Sequence, residues 1–309
     1  MRRRSPAELI VGSVQLGLAY GAANRTGKPS RETALRLVKR AADAGITAFD
    51  TARAYGDSEE RLGEALQGRR VRTITKLSPL TELERNASRA AVLAAVETSI
   101  ENSLSALKRQ SLDCLLLHRA AHLTAFDGAI WHVLQTYLAA GTIGSLGVSV
   151  RSPAEARQAL AEPQVEHLQL SFNLLDWRWH EASIVAAIHD RTSLTVPARS
   201  VFLQGILAAG DAAVWPRVPR VDVPALLAWI DRSVHAFGRA NAADLCLAYV
   251  RGQDWIDGVV IGMETEAQLE ANLLIGARPP LGPRDCAALE ASRPRVPEQL
   301  LDPAQWPRT

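Results

Sequence analysis

The sequence predicts an α/β protein, a closed (β/α)8 barrel in a single domain over residues 1–309, and three observations carry that prediction. Strand-like and helix-like segments alternate eight times along the chain, as in a parallel sheet with helical crossovers. Three successive strand-like runs end in a polar side chain, Asp50, Lys76 and His118, and TIM-type barrels carry their chemistry at the carboxyl ends of strands. The 309 residues, 47% of them hydrophobic, suffice for one barrel-sized core, and no linker or shift in composition divides them.

The first strand is expected at Leu9–Val14, followed by a Gly-rich loop, Leu16–Ser30. A helix then carries Leu35, Val38 and Ala42 on one face until Gly45 stops it. Ile46–Asp50 is the second strand. The next helix starts near Ser58, with Asp57 and Glu60 at capping-box spacing and acids in its first turn. The third strand ends at Lys76, and Val92, Val96, Ile100, Leu104 and Leu107 recur at helical spacing before the fourth strand, Leu112–His118. Ile130–Leu138 reads as a helix ended by Gly141. Leu146–Val150 is the fifth strand, and Pro153 suits the first turn of a helix reaching Leu160. His167–Phe172 and Leu194–Val201 are the sixth and seventh strands, Pro224–Phe237 and Ala242–Val250 are helical, and Gly258–Ile261 is the eighth strand before a helix at Thr265–Leu274. Beyond Pro279 the chain is rich in proline, which predicts an irregular tail wrapping the surface.

Ile46–Leu66 is the most informative stretch. An apolar run ends in Asp50, Tyr55 follows in a loop beside Gly56, and a helix begins at once. Burying a carboxylate without a cation is expensive, so a partner is expected. Lysine occurs only at Lys28, Lys39, Lys76 and Lys108. Two of these fall in helical patterns and one in a Gly/Pro loop, whereas Lys76 closes a strand, where a compact ammonium differs in use from a planar guanidinium. Singly, each residue has an ordinary explanation: a structural ion pair, a satisfied core histidine, a loop tyrosine. Delivered together at successive strand ends, Asp50, Tyr55, Lys76 and His118 predict a catalytic group. His122 is read as loop. Trp177 and Trp179 are expected at the same face, packing on the rim rather than lining a pocket.

Composition excludes several classes. A net charge of +2 gives no electrostatic reason to expect nucleic acid or an anionic membrane as partner. Cys114, Cys246 and Cys286 are odd in number and widely spaced, which argues against structural disulfides and a zinc site and for a cytoplasmic location. The basic opening Met1-Arg2-Arg3-Arg4 could begin a signal peptide, but Glu8, Gln15 and several glycines interrupt the apolar stretch after it. No window resembles a membrane-spanning helix. Neither Gly17…Gly21 nor Gly141…Gly144…Gly147 has Rossmann spacing, so a dinucleotide, if bound, sits on a barrel.

The segments Asp50-Thr51-Ala52, Tyr55-Gly56, Gly63-Glu64-Ala65-Leu66, Thr75-Lys76 and Leu115-Leu116-Leu117-His118, in this order, resemble the aldo-keto reductase superfamily. So do Gly147-Val148-Ser149, Gln169-Leu170-Ser171-Phe172-Asn173, the run from Arg199 to Gly205, and Val260-Ile261-Gly262 with Gln268 to Asn272. The likeness runs from Leu9 to about Leu274. It implies hydride transfer between a nicotinamide cofactor and a carbonyl or alcohol (aldehyde, ketone or sugar) without a metal. Tyr55 would donate the proton, and since an isolated tyrosine has a pKa of about 10, Lys76 would favour the phenolate, with Asp50 holding Lys76 in place. His118 would hydrogen-bond the carbonyl oxygen. The resemblance also implies a cofactor held across the barrel mouth by Gly12, Ser13, Ser149, Gln169, Arg199, Ser200, Phe202, Gln204, Gly262, Glu264, Gln268 and Asn272.

Two features depart from the family's pattern. Val150 stands where many members have Asn, leaving the nicotinamide carboxamide to Ser149 and Gln169. Glu264 and Gln268 stand where basic residues commonly meet the 2′-phosphate of NADP. An acidic side chain suits a ribose 2′-hydroxyl, so NAD(H) is expected over NADP(H). The polar loop Gly17–Ser30, with Tyr20, Asn24, Arg25 and Lys28, hints at a sugar-like substrate. Alternatives are a nicotinamide-binding redox sensor or regulatory subunit, as among potassium-channel β-subunits, and a lyase using Tyr55 and Lys76 for proton abstraction. No extended N-terminal inactivating segment favours the channel role.

Overall fold

The computed structural model describes residues 7–307, so the basic opening at Met1–Arg4 lies outside the described residues. The strands are β1 (Glu8–Gly12), β2 (Ala48–Asp50), β3 (Arg72–Lys76), β4 (Cys114–Leu117), β5 (Leu146–Val150), β6 (His167–Ser171), β7 (Pro197–Arg199) and β8 (Gly258–Gly262). They pair in sequence order into a closed barrel, β8 lying parallel to β1 in register from Glu8–Gly258 to Gly12–Gly262. All eight expected strands are present in the expected order. Their ends differ: β1 stops at Gly12 because Val14–Gly17 forms one helical turn, and β7 keeps only the middle of its expected span.

The strands alternate their side chains between two cores. Ile10, Ala48, Ile74, Cys114 and Leu116, with Val260 against them, form a small apolar cluster inside the barrel. Val11, Phe49, Leu115, Leu117, Val148, Leu170 and Val259 instead join the large core under the helices. Asp50, Lys76 and His118 each come two residues after an inward member of the small cluster. The two-residue period of a strand therefore lifts all three above an apolar floor at the barrel mouth.

Three local expectations are corrected. The helix Arg31–Asp43 buries Ala34, Leu37, Val38 and Ala41, so Val38 is inward as expected, whereas Leu35 and Ala42 are only half-buried at the edge of the core. Asp57 precedes the helix Ser58–Ala65 but makes no capping hydrogen bond; Lys28, at 2.7 Å, and Arg61, at 3.0 Å, engage its carboxylate instead. The tail is more regular than its prolines suggest, with helices at Pro283–Ser292 and Glu298–Leu301. Pro283 and Pro297 stand at the helix starts, where a missing N–H costs nothing. Cys286, Leu289, Leu300 and Leu301 are buried there.

Candidate active site

Asp50 and Lys76 meet at the mouth as a buried pair, 3% and 1% exposed. Lys76 Nζ donates to Asp50 Oδ1 at 2.7 Å, to Asp50 Oδ2 at 2.8 Å and to the Thr51 carbonyl at 2.8 Å. All three ammonium protons are thereby engaged. Gln169 Nε2 donates to Asp50 Oδ2 at 2.6 Å. Burial pushes the Lys76 ammonium towards neutrality, but Asp50 and then Tyr55 outweigh it and hold its pKa above the ordinary value. Lys76 is thus a fixed positive charge, 5.2 Å from the centre of the Tyr55 ring.

Tyr55 meets His118 edge to face, with ring centres 5.8 Å apart and planes at 90°. His118 stands one residue past β4. Burial first, then the charges of Lys76, Arg199 and Arg119, bring its pKa down to about 3. The imidazole is therefore neutral at physiological pH and offers one N–H; its Nδ1 is buried without a hydrogen-bond partner.

Close backbone contact fixes the Tyr55 loop. A Cβ on Gly17 would lie 1.8 Å from the Tyr55 carbonyl oxygen, and one on Gly56, at φ +58°, 2.4 Å from the Gly17 carbonyl oxygen. The loops after β1 and β2 therefore touch main chain to main chain. Beneath them Ser13 Oγ donates to the Asp50 carbonyl at 2.8 Å and lies 2.7 Å from Ser58 Oγ.

A cavity of about 940 Å³ opens over this group, near the upper end of the usual range for small-molecule sites. Asp50, Tyr55 and His118 line it, and so do eleven of the twelve residues expected to hold a cofactor. Gln169 stands apart: it is fully buried, and the Asp50 carboxylate claims its amide nitrogen. Lys76 also lies below the surface of the cavity. From the loop after β1, Tyr20, Ala23 and Asn24 reach the cavity; Arg25 instead faces Asp211 at 3.8 Å, and Lys28 is held by Asp57. Trp177 and Trp179 line none of it. Trp179 Nε1 donates to the Ser171 carbonyl at 2.9 Å, and Trp177 docks under Arg295 with its Nε1 on the Val296 carbonyl at 3.1 Å. His122 falls in a short 3₁₀ turn, Ala120–Leu123.

Sequence inspection missed Gln15, Arg119 and Arg151, which also line the cavity. Gln15 sits in the helical turn Val14–Gly17, too short to show a helical period. Its side chain lies across Gly262, where an added Cβ would meet the Gln15 amide at 2.2–2.5 Å, and its Oε1 is buried without a partner. Bare backbone at Gly12 and Gly262, this unused acceptor, and a cavity running from β8 across to the β4 and β5 loops fit an extended dinucleotide. Among the described residues no group of three His, Cys, Asp or Glu side chains is placed to hold a metal ion.

At the β8 end, Glu264 Oε1 accepts from Gln268 Nε2 at 3.0 Å, and Gln268 Oε1 accepts from the Glu264 N–H at 2.8 Å. Gln268 also completes a capping box with Thr265 at the start of the helix Glu266–Gly276. The nearby guanidiniums of Arg36 and Arg40 are paired with Glu266 and Glu270.

Comparison with known proteins identifies the fold and the family. Over 207 residues the chain is 28% identical to aldo-keto reductase YhdN of Bacillus subtilis (strain 168); the match covers 63% of this chain and 61% of that protein, just under two thirds of its length. The fold superimposes on aldo-keto reductase AKR11C1 of Bacillus halodurans in its holo form, with a TM-score of 0.74, 21% identity, and 96% and 95% of the two chains covered. An aldo/keto reductase of Klebsiella pneumoniae, solved with NADP and acetate, gives a TM-score of 0.68 at 23% identity, covering 94% and 93%. The sequence model of the Aldo/keto reductase family matches residues 8–293, and the chain belongs to that family.

Proposed function

We propose that the protein interconverts a small carbonyl compound and its alcohol with NAD(H), using Tyr55, Lys76, Asp50 and His118. The observation that carries this is the buried Asp50–Lys76 pair beneath a tyrosine and a neutral histidine that share one cavity. His118 donates its N–H to the carbonyl oxygen and fixes it beside the Tyr55 hydroxyl. As negative charge grows on that oxygen, Tyr55 transfers its proton to it, leaving a phenolate. The Lys76 charge, with no proton to spare, stabilises that phenolate through the field alone, and Asp50 keeps Lys76 ionised in a site where burial opposes charge. A nicotinamide cofactor held along the cavity by Gly12, Ser13, Arg199, Ser200 and Gly262 would supply the hydride chemistry that the carbonyl carbon needs. Water reprotonates Tyr55 after release.

The β8 end supports NAD(H) over NADP(H). Glu264 presents a carboxylate where a 2′-phosphate would need a cation, and Arg36 and Arg40 are already paired. The Klebsiella protein was solved with NADP; the preference proposed for this chain rests on Glu264. Tyr20 and Asn24 on the cavity wall support a polar substrate. Three buried, unpaired cysteines suit a reducing compartment such as the cytoplasm.

Fluorescence titration and steady-state kinetics with both cofactors test this. Tyr55→Phe should lower kcat by about 100-fold or more while NADH still binds, and Glu264→Arg should move the kcat/KM ratio towards NADPH by about tenfold. Failure of either cofactor to bind ends the reductase assignment, and a wild-type preference for NADPH ends the role given to Glu264.

A further inference from the structure

The cavity is unequal in charge from one side to the other, and that inequality, taken with the reductase assignment, bears on the substrate. Most of the expected cofactor residues lie on or just after β7, β8 and β1, which are neighbours in the closed barrel, with Ser149 on β5 reaching the nicotinamide end. Across the mouth, the loops after β4 and β5 bring Arg119 and Arg151 to the wall with a single carboxylate, Glu155. Glu155 is largely committed: its Oε2 accepts the Arg151 backbone N–H at 2.6 Å, and the Arg151 guanidinium approaches Oε1 only to 3.9 Å. Arg119 is exposed and forms no ion pair among the described residues. It directly follows His118, close enough that its charge acts on that imidazole. Arg199, at the end of β7, lies on the cofactor side, with Nη1 and Nη2 near Ser200 Oγ and the Val150 carbonyl, each at 3.3 Å.

Two guanidiniums without a full partner on the wall of the cavity that His118 lines, one of them next in sequence to that histidine and both opposite the β8 end, form a receptor for anionic oxygens. We infer that the substrate is an anionic carbonyl compound, whose carboxylate or phosphate is held by Arg119 and Arg151 while His118 and Tyr55 hold its carbonyl oxygen. The β1 loop then faces the rest of the substrate with Tyr20 and Asn24. The same cations raise the local concentration of such a substrate at low ionic strength, so the selectivity should weaken as salt is added.

Matched pairs of ligands test this on the full-length protein. Calorimetric titration in the presence of NAD+ compares 4-hydroxybutanoate with 1,4-butanediol, and glycerol 3-phosphate with glycerol. Kinetics with NADH compares 4-oxobutanoate with butanal, and glyceraldehyde 3-phosphate with glyceraldehyde. At least one anionic member should bind and turn over about tenfold better than its neutral partner, and the family of that member separates carboxylate from phosphate. In Arg119→Gln/Arg151→Gln the ratio should fall to within about threefold of one, and in Arg119→Lys/Arg151→Lys it should partly return. Equal binding of charged and neutral members, or a ratio untouched by the double Gln variant, overturns the inference. Anion binding that depends on both arginines, with no turnover of any carbonyl, upholds the receptor and removes only the reductase assignment.

Discussion

At the residue scale the site turns on one ammonium. Lys76 gives all its protons to Asp50 and Thr51, so its charge is both satisfied and immobile. Lys76→Met strands the Asp50 carboxylate, which keeps only the Gln169 amide. We expect a loss of about 3–5 kcal/mol in stability and of about 100-fold or more in kcat. Adding Asp50→Asn removes the stranded charge, so the double variant should regain much of its Tm and none of its turnover; stability that stays low in the double variant would contradict the pairing. The same Lys76→Met change tests the electrostatics of His118. Burial is the first cause of its low pKa and Lys76 the second, so without Lys76 the imidazole should titrate nearer its ordinary value, still below it. Proton NMR across pH 3 to 7 reads this directly. An unchanged titration would mean that burial alone sets the protonation of His118.

At the element scale, what matters is how the loops after β1 and β2 lie against each other. Gly17 leaves room for the Tyr55 carbonyl and the Ser58 N–H, which an added Cβ would approach to 1.8 and 2.8 Å. Gly17→Ala must push the Tyr55 loop away from His118. Because small misplacements of a reacting group are costly, kcat should fall by about 10- to 100-fold, with NADH affinity changed far less. Equal losses in both would point to general unfolding of the mouth. The sequence made the strands legible because Asp50 and His118 end apolar runs and Lys76 ends a run rich in β-branched residues. It did not make the loop contact legible, since a glycine chosen for close approach looks like any loop glycine. Asp57 departs from its expected capping role for a related reason: spacing suggests a cap, but Lys28 from the preceding loop and Arg61 one turn along the helix compete for the carboxylate. Gln15, Arg119 and Arg151 belong to no motif, and only their meeting around one cavity gives them meaning.

At the scale of the whole molecule, the barrel depends on a tail that composition marked as irregular. Arg293 Nη1 bonds the Asp176 carbonyl at 3.3 Å and the Tyr249 hydroxyl at 3.2 Å, and Val296 receives the Trp177 indole. The tail thus clamps the loop after β6 from outside. Burial of Leu289, Leu300 and Leu301 is worth about 1.5–3 kcal/mol each, a sum comparable to the whole stability of many domains, about 5–15 kcal/mol. A chain cut after Pro279 should therefore lose its cooperative thermal transition by circular dichroism, and one that melts like the full chain would show the tail to be dispensable. The order of the strands around the barrel was readable from their alternation with helices, but its closure depends on pairing residues 8–12 with residues 258–262. The sheet keeps two open edges, at β1 and at its newest strand, until that last strand has left the ribosome. While the chain is being made, β1 waits with one side unpaired, and the growing protein carries an open sheet edge of the kind that pairs with other chains. The seam between β1 and β8 is then a matter of timing as well as of architecture.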